Sequence, residues 1–219
     1  MLIKICGLTN KSEVEYLKKN KVDFAGIVLF FEKSKRNVSI DKAKEIIAAL
    51  KTFGDKDYEK CGDATEHDIK AVAVVVSPNE QQVKEIEAAG FDYIQIHGAL
   101  DEELIRKINI PVLRAFNVDD MDKYDYYLSF PNIKGFVFDA GEPGSGKTFD
   151  WDSLKTIKRQ KNRMYILAGG LNAENVSRAI EMVKPDGVDV SSSVEYTDKL
   201  GKNPALIDEF FMKVRTAQS

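Results

Sequence analysis

An excess of positive charge is missing from this chain: 32 lysines and arginines face 35 aspartates and glutamates, for a net charge of −3. No global positive field is available to hold nucleic acid or an anionic lipid surface, so a small anionic ligand would need a local site. Long hydrophobic runs are also missing, since none approaches the roughly 18 to 20 apolar residues of a membrane span. The start, Met1-Leu2-Ile3-Lys4, lacks the charged, apolar and small order of a signal peptide, and a cytoplasmic protein is expected. Cysteine is scarce. Cys6 and Cys61 lie far apart, which argues against a disulfide framework. Cys61 and His67 share a polar stretch, but two ligand types do not make a tetrahedral site, and no metal is expected.

What is present is a regular alternation. At 219 residues the chain is long enough for one sizeable core and short for two ordinary domains. Eight runs rich in Val, Ile, Phe or Tyr read as strands: 2–5, 24–30, 71–76, 92–96, 111–115, 134–138, 164–168 and 186–190. Helix signals fall between them. Ser77-Pro78-Asn79-Glu80 reads as a capping box with proline in the first turn, Gly90 as its stop, and Asn203-Pro204 as the opening of the last helix. Val176, Ala179, Ile180 and Val183 form one apolar stripe for a sheet to cover. Strand spacing near 20 residues fits an α/β protein folded as a single (β/α)8 TIM barrel spanning 1–219 better than the alternative, an open doubly wound sheet. The polar stretch 51–70 is an αβ-loop insertion at the bottom of such a barrel.

Side chains alternate along strands. Lys4 pairs with Cys6, Gln95 with His97, and Gly187 with Asp189 and Ser191, each set opposite an apolar one. Asp139 follows the sixth strand. A barrel whose mouth collects these groups, at the strand ends where barrel active sites sit, reads as an enzyme, with Cys6 and Asp139 the leading catalytic candidates. A lone cysteine would otherwise be a small hydrophobe. The turns 167–171, with Gly169 and Gly170, and 189–193, with Ser191, Ser192 and Ser193, bring backbone N–H groups and hydroxyls to the quarter where barrels bind phosphate. One motif competes: Gly141 to Thr148 satisfies GxxxxGK[ST], the nucleotide-binding P-loop pattern. Against that reading, no later strand ends in a magnesium-binding Asp and the helix starts near Asp150. A glycine-rich loop able to close over substrate is the preferred reading.

KICGLTN at 4–10, SKR at 34–36, QIHG at 95–98, GSGKTFDW at 144–151, AGGLN at 168–172 and DVSS at 189–192 run in one order through most of the chain. In this combination the sequence resembles the phosphoribosylanthranilate isomerases of tryptophan biosynthesis. The loop 144–151, which imitates a P-loop, is part of that resemblance. It implies an Amadori rearrangement of N-(5-phosphoribosyl)anthranilate to 1-(2-carboxyphenylamino)-1-deoxyribulose 5-phosphate, with Asp139 as general acid and Cys6 as general base. It also implies Arg36 on the anthranilate carboxylate, His97, Gly146 and Lys147 as further substrate contacts, and the glycines and serines above as the phosphate cup. No cofactor is implied, and the partner is a small phosphosugar, with the chain acting as monomer or homodimer. The pattern departs at Ser193, where the family usually has glycine, so a Cβ is expected to tighten or tilt the cup. Two other readings stand beside it: another phosphosugar isomerase on the same barrel, and a non-catalytic barrel that binds a sugar phosphate. A Lys4–Asp189 ion pair is expected beneath Cys6, placing positive charge that favours the thiolate.

Overall fold

The strands are apolar on both faces for most of their length, so both sides of the sheet need cover. In the computed structural model, which describes residues 1–52, 67–139, 151, 154 and 157–217, the sheet gains that cover by closing on itself. The strands are β1 (Leu2–Cys6), β2 (Phe24–Val28), β3 (Lys70–Val76), β4 (Tyr93–His97), β5 (Val112–Phe116), β6 (Ile133–Phe138), β7 (Met164–Leu167) and β8 (Gly187–Val190). They pair in parallel in chain order, and β8 returns to β1 with Lys4 level with Asp189. The described helices are α1 (Val14–Lys19), α2 (Ile40–Lys51), α3 (Glu80–Ala89), α4 (Glu102–Lys107), α5 (Tyr124–Tyr127), α6 (Val176–Val183) and α7 (Pro204–Thr216). Much of the 51–70 insertion, with Cys61, and the glycine-rich loop holding Gly146 and Lys147 lie outside the described residues.

Two apolar layers follow from strand alternation. Ile3, Ile5, Ile27 and Val188 face outward and pack with the buried stripe Val176, Ala179, Ile180 and Val183 of α6. Phe24, Val72, Val74, Leu113, Val137 and Ile166 face inward. Near the strand N-termini the Phe24 and Tyr93 rings meet edge to face at 5.4 Å and help close the bottom. The polar residues are left for the other end.

Helix α3 corrects one expectation. Its N-cap is Asn79, whose side chain accepts from the Gln82 N–H while the Gln82 side chain reaches back, so the capping box lies two residues later than Ser77. Pro78 precedes the cap instead of entering the first turn. Ser77 is committed elsewhere: its backbone is left-handed (φ 46°) and its hydroxyl accepts from Ala99 N–H at 2.8 Å. The stop at Gly90 (φ 85°) and the Asn203-Pro204 start of α7 are as expected.

Candidate active site

Strand parity delivers Lys4 and Cys6 to the inside of β1, and Gly26 on β2 makes room for them. A Cβ at Gly26 would sit 2.9 Å from Cys6 Sγ and 3.0 Å from Lys4 Nζ. Lys4 is fully buried and its Nζ donates to Asp189 Oδ2 at 2.8 Å, the expected ion pair. Burial works against the ammonium, but the Asp189 carboxylate, first among its partners, outweighs it and holds the Lys4 pKa above its ordinary value. As expected, the Lys4 charge favours the Cys6 thiolate and the Asp189 carboxylate works against it, but burial is the larger influence. Burial pushes its thiol up, and Asp189 adds to that, so the opposing Lys4 and Lys202 charges do not prevail. The hydration lost at this half-buried position exceeds what one ammonium, itself compensated by Asp189, returns.

Around the same opening, β4 contributes Gln95 and His97, whose Nε2 atoms lie 2.8 Å apart. Burial, then Lys4 and Arg114, push the His97 pKa down to about 4, so the imidazole is neutral at pH 7. Gln95 Oε1 and Asp189 Oδ1 are buried acceptors without a hydrogen-bond donor among the described residues. The cavity they help line has a volume of about 500 Å³ and is bordered by Cys6, Arg36, His97, Asp139, Gly169 and Ser191 to Ser193. On its far side Gly169 (φ 77°) and Gly170 (φ 65°) turn the backbone after β7 through the left-handed region, which is what glycine is there to allow. Ser193 has no positive φ and donates to Leu171 O at 2.6 Å, so its Cβ is accommodated and its hydroxyl ties the two turns together.

The sequence profile of N-(5'-phosphoribosyl)anthranilate (PRA) isomerases matches residues 3–213. The chain belongs to the phosphoribosylanthranilate isomerase family. Among family members, N-(5'-phosphoribosyl)anthranilate isomerase of Streptococcus gordonii is 37% identical, with 97% of each chain covered. That of Aquifex aeolicus is 34% identical, with 98% of each covered. The crystal structure of the Thermotoga maritima phosphoribosylanthranilate isomerase superposes with a TM-score of 0.79 at 31% identity, covering 99% of each chain. A further phosphoribosylanthranilate isomerase, 28% identical with a TM-score of 0.76 and 99% of each chain covered, was crystallised with reduced 1-(o-carboxyphenylamino)-1-deoxyribulose 5-phosphate.

Nine of the site residues expected from the sequence border one cavity: Cys6, Arg36, His97, Asp139, Gly169, Gly170 and the three serines. Gly146 and Lys147 lie outside the described residues. Arg36 is not the solvated arginine its neighbours Lys33 and Lys35 suggest; it forks onto Glu195 through Nε and Nη2. Sequence reasoning missed Glu195, Lys202 and Arg114. Arg114 is buried on the outer face of β5, against the Phe116 and Tyr127 rings, and donates at 2.6 Å to both Ile96 O and Gly98 O, which flank His97. A charged residue in the middle of an apolar strand was the available signal. His67 contacts Val22 O at 3.0 Å near the start of β3, far along the strand direction from the mouth. Among the described residues no group of three His, Cys, Asp or Glu side chains could hold a metal.

Proposed function

We propose that this chain isomerises N-(5-phosphoribosyl)anthranilate to the carboxyphenylamino-deoxyribulose 5-phosphate, the reaction its family is named for, within tryptophan biosynthesis. One observation carries the reading. A cysteine, an aspartate, an arginine and two turns rich in backbone donors border a single cavity in a barrel of this family. Asp139 protonates the furanose ring oxygen as the C1′–O bond breaks, leaving a Schiff base on the anilino nitrogen. Cys6 takes the C2′ proton, and the enolamine tautomerises to the ketone, so atoms balance with no added reactant. β1 and β6 lie three strands apart around the closed ring, which suits an acid and a base that approach the sugar from different sides. Burial pushes the Cys6 thiol up, and Lys4 and Lys202 are the charges that favour the thiolate this step needs.

Arg36 holds the aryl carboxylate and the turns at 169–170 and 191–193 hold the phosphate, through charge-assisted and backbone hydrogen bonds. A neutral His97 fits a contact to a hydroxyl better than one to the phosphate. All these residues come from one chain, so the reading holds for a monomer or a homodimer, and a cytoplasmic location goes with it. No helix among the described residues is long and apolar enough to cross a membrane. The decisive assay generates phosphoribosylanthranilate from anthranilate and a phosphoribosyl donor and follows loss of its fluorescence. Loss far above the uncatalysed rate is expected. A rate equal to the background would refute the proposal, and turnover of other phosphosugars in its place would favour a different isomerase.

A further inference from the structure

Three cations converge on one carboxylate behind the cavity wall. Glu195, 5% exposed, accepts from the Arg36 fork, from Lys202 Nζ at 2.9 Å and from Lys35 Nζ at 3.0 Å. Of the three, Lys202 is fully buried, Arg36 is partly buried and Lys35 reaches in from solvent. Arg36 borders that cavity, whereas Glu195 and Lys202 do not. A guanidinium has five N–H groups, and Glu195 takes those of Nε and one on Nη2, leaving three for another anion.

The scaffold behind this cluster is rigid for identifiable reasons. Glu195 and Lys202 bridge as partners in a short antiparallel turn, with Tyr196 N–H bonded to Gly201 O and Asn203 N–H to Val194 O. Lys202 has a fully buried side chain and also donates to Ser191 O at 3.1 Å, in the turn read as part of the phosphate cup. Its backbone N–H is held by Glu13, which binds Thr9 and Asn10 N–H as well, so the loop after β1 is tied to the turn after β8. On the other side, Gly7 (φ 83°) lets the Arg36 stem lie against the chain one residue from Cys6. A Cβ there would collide with Arg36 Cδ. Burial opposes the Glu195 charge, but hydrogen bonds from Arg36 and the cations of Lys202 and Lys35 hold its pKa down to about 2, so the carboxylate persists at any working pH.

We propose that Glu195, braced by Lys202, is the positioning residue that fixes the Arg36 fork and thereby sets selectivity for a substrate carrying an aryl carboxylate. The proposal rests on the assignment of Arg36 to that carboxylate. Glu195 touches no reacting atom; it immobilises a long side chain before substrate arrives, so that less rotamer freedom is lost on binding.

The test uses two substrates, the anthranilate compound and the same phosphoribosylamine made on aniline, which lacks the carboxylate. The quantity read is the ratio of their kcat/KM values. R36M should collapse this ratio toward one; an unchanged ratio would remove the Arg36 assignment itself. Given that collapse, E195Q should lower the ratio about 10-fold, the size of one charge-assisted hydrogen bond, through KM for the carboxylated substrate. Equal losses on both substrates would mean that Glu195 only stabilises the fold, and an unchanged ratio would mean that Arg36 is positioned without it. Either outcome overturns the proposal and leaves the Arg36 assignment standing. If E195Q does not fold because Lys202 is left uncompensated, E195D serves. It keeps the charge but draws it back by one methylene, and it should lower the ratio in the same direction; an unchanged ratio overturns the proposal again.

Discussion

Cys6 and Asp139 are ordinary residue types whose chemistry comes from where they stand, at the C-terminal ends of β1 and β6 on the border of one cavity. Cys6→Ser and Asp139→Asn should each lower kcat by on the order of 10²-fold or more, since serine is a far weaker base and asparagine donates no acidic proton. Saturation kinetics on protein with an unchanged far-ultraviolet spectrum measures this. A near-native kcat in either variant removes that residue from the mechanism. Beneath them, the Lys4–Asp189 pair is enclosed at both ends, with side chains 0% and 6% exposed. Removing one charge strands the other, so Asp189→Asn should destabilise the fold by about 3 to 5 kcal/mol. Urea unfolding decides it, and a change well under 1 kcal/mol would mean that water reaches the pair.

Elements carry the site to its place through caps and backbone tethers. The Asn79 cap of α3 and the Ser77 hydroxyl on Ala99 N–H fasten the turn after β3 to the end of β4. Asn79→Ala should cost about 1 kcal/mol, read as a lower urea midpoint with kcat retained, because Asn79 is exposed and does not border the cavity. A loss of kcat with unchanged stability would contradict that division of labour. Sequence reading located every strand to within a residue or two at most ends, because alternating and continuous apolar runs report burial directly. It placed the α3 cap two residues early, because Ser77 and Asn79 are both good caps and only the contact with Ala99 assigns Ser77 to another task.

At the scale of the whole molecule, acid should weaken the barrel in two steps. His97 is held to about 4 against an ordinary 6.5, so between those pH values the unfolded chain takes up a proton that the folded chain refuses, and stability falls as pH drops from 6.5 to 4. The full effect would be about 3 kcal/mol, reduced because the ring is partly exposed to the cavity. Glu195, held to about 2, loses its contribution at lower pH still, as its partners must release a neutral carboxyl. Urea midpoints at pH 7, 5.5 and 4.5 should therefore decline, and His97→Asn should flatten the upper part of that decline. An identical slope in the variant would show that His97 is not the group responsible.

The amino-acid sequence by itself determined the (β/α)8 order, the inward set Lys4, Cys6, Gln95, His97 and Asp189, and the family motifs, because strand parity and local turn chemistry are properties of neighbouring residues. It could also pair Lys4 with Asp189, since closing eight strands makes the first and last neighbours. Only the tertiary structure decided that Arg36 is held by Glu195, that Lys202 binds the Glu195 carboxylate and Ser191 O, and that Arg114 grips both carbonyls beside His97. Arg36 and Glu195 are 159 positions apart and belong to different loops. No periodicity links such residues; they meet because the closed barrel brings the turns after β1, β2 and β8 side by side, and the charge cluster there exists only once they have met.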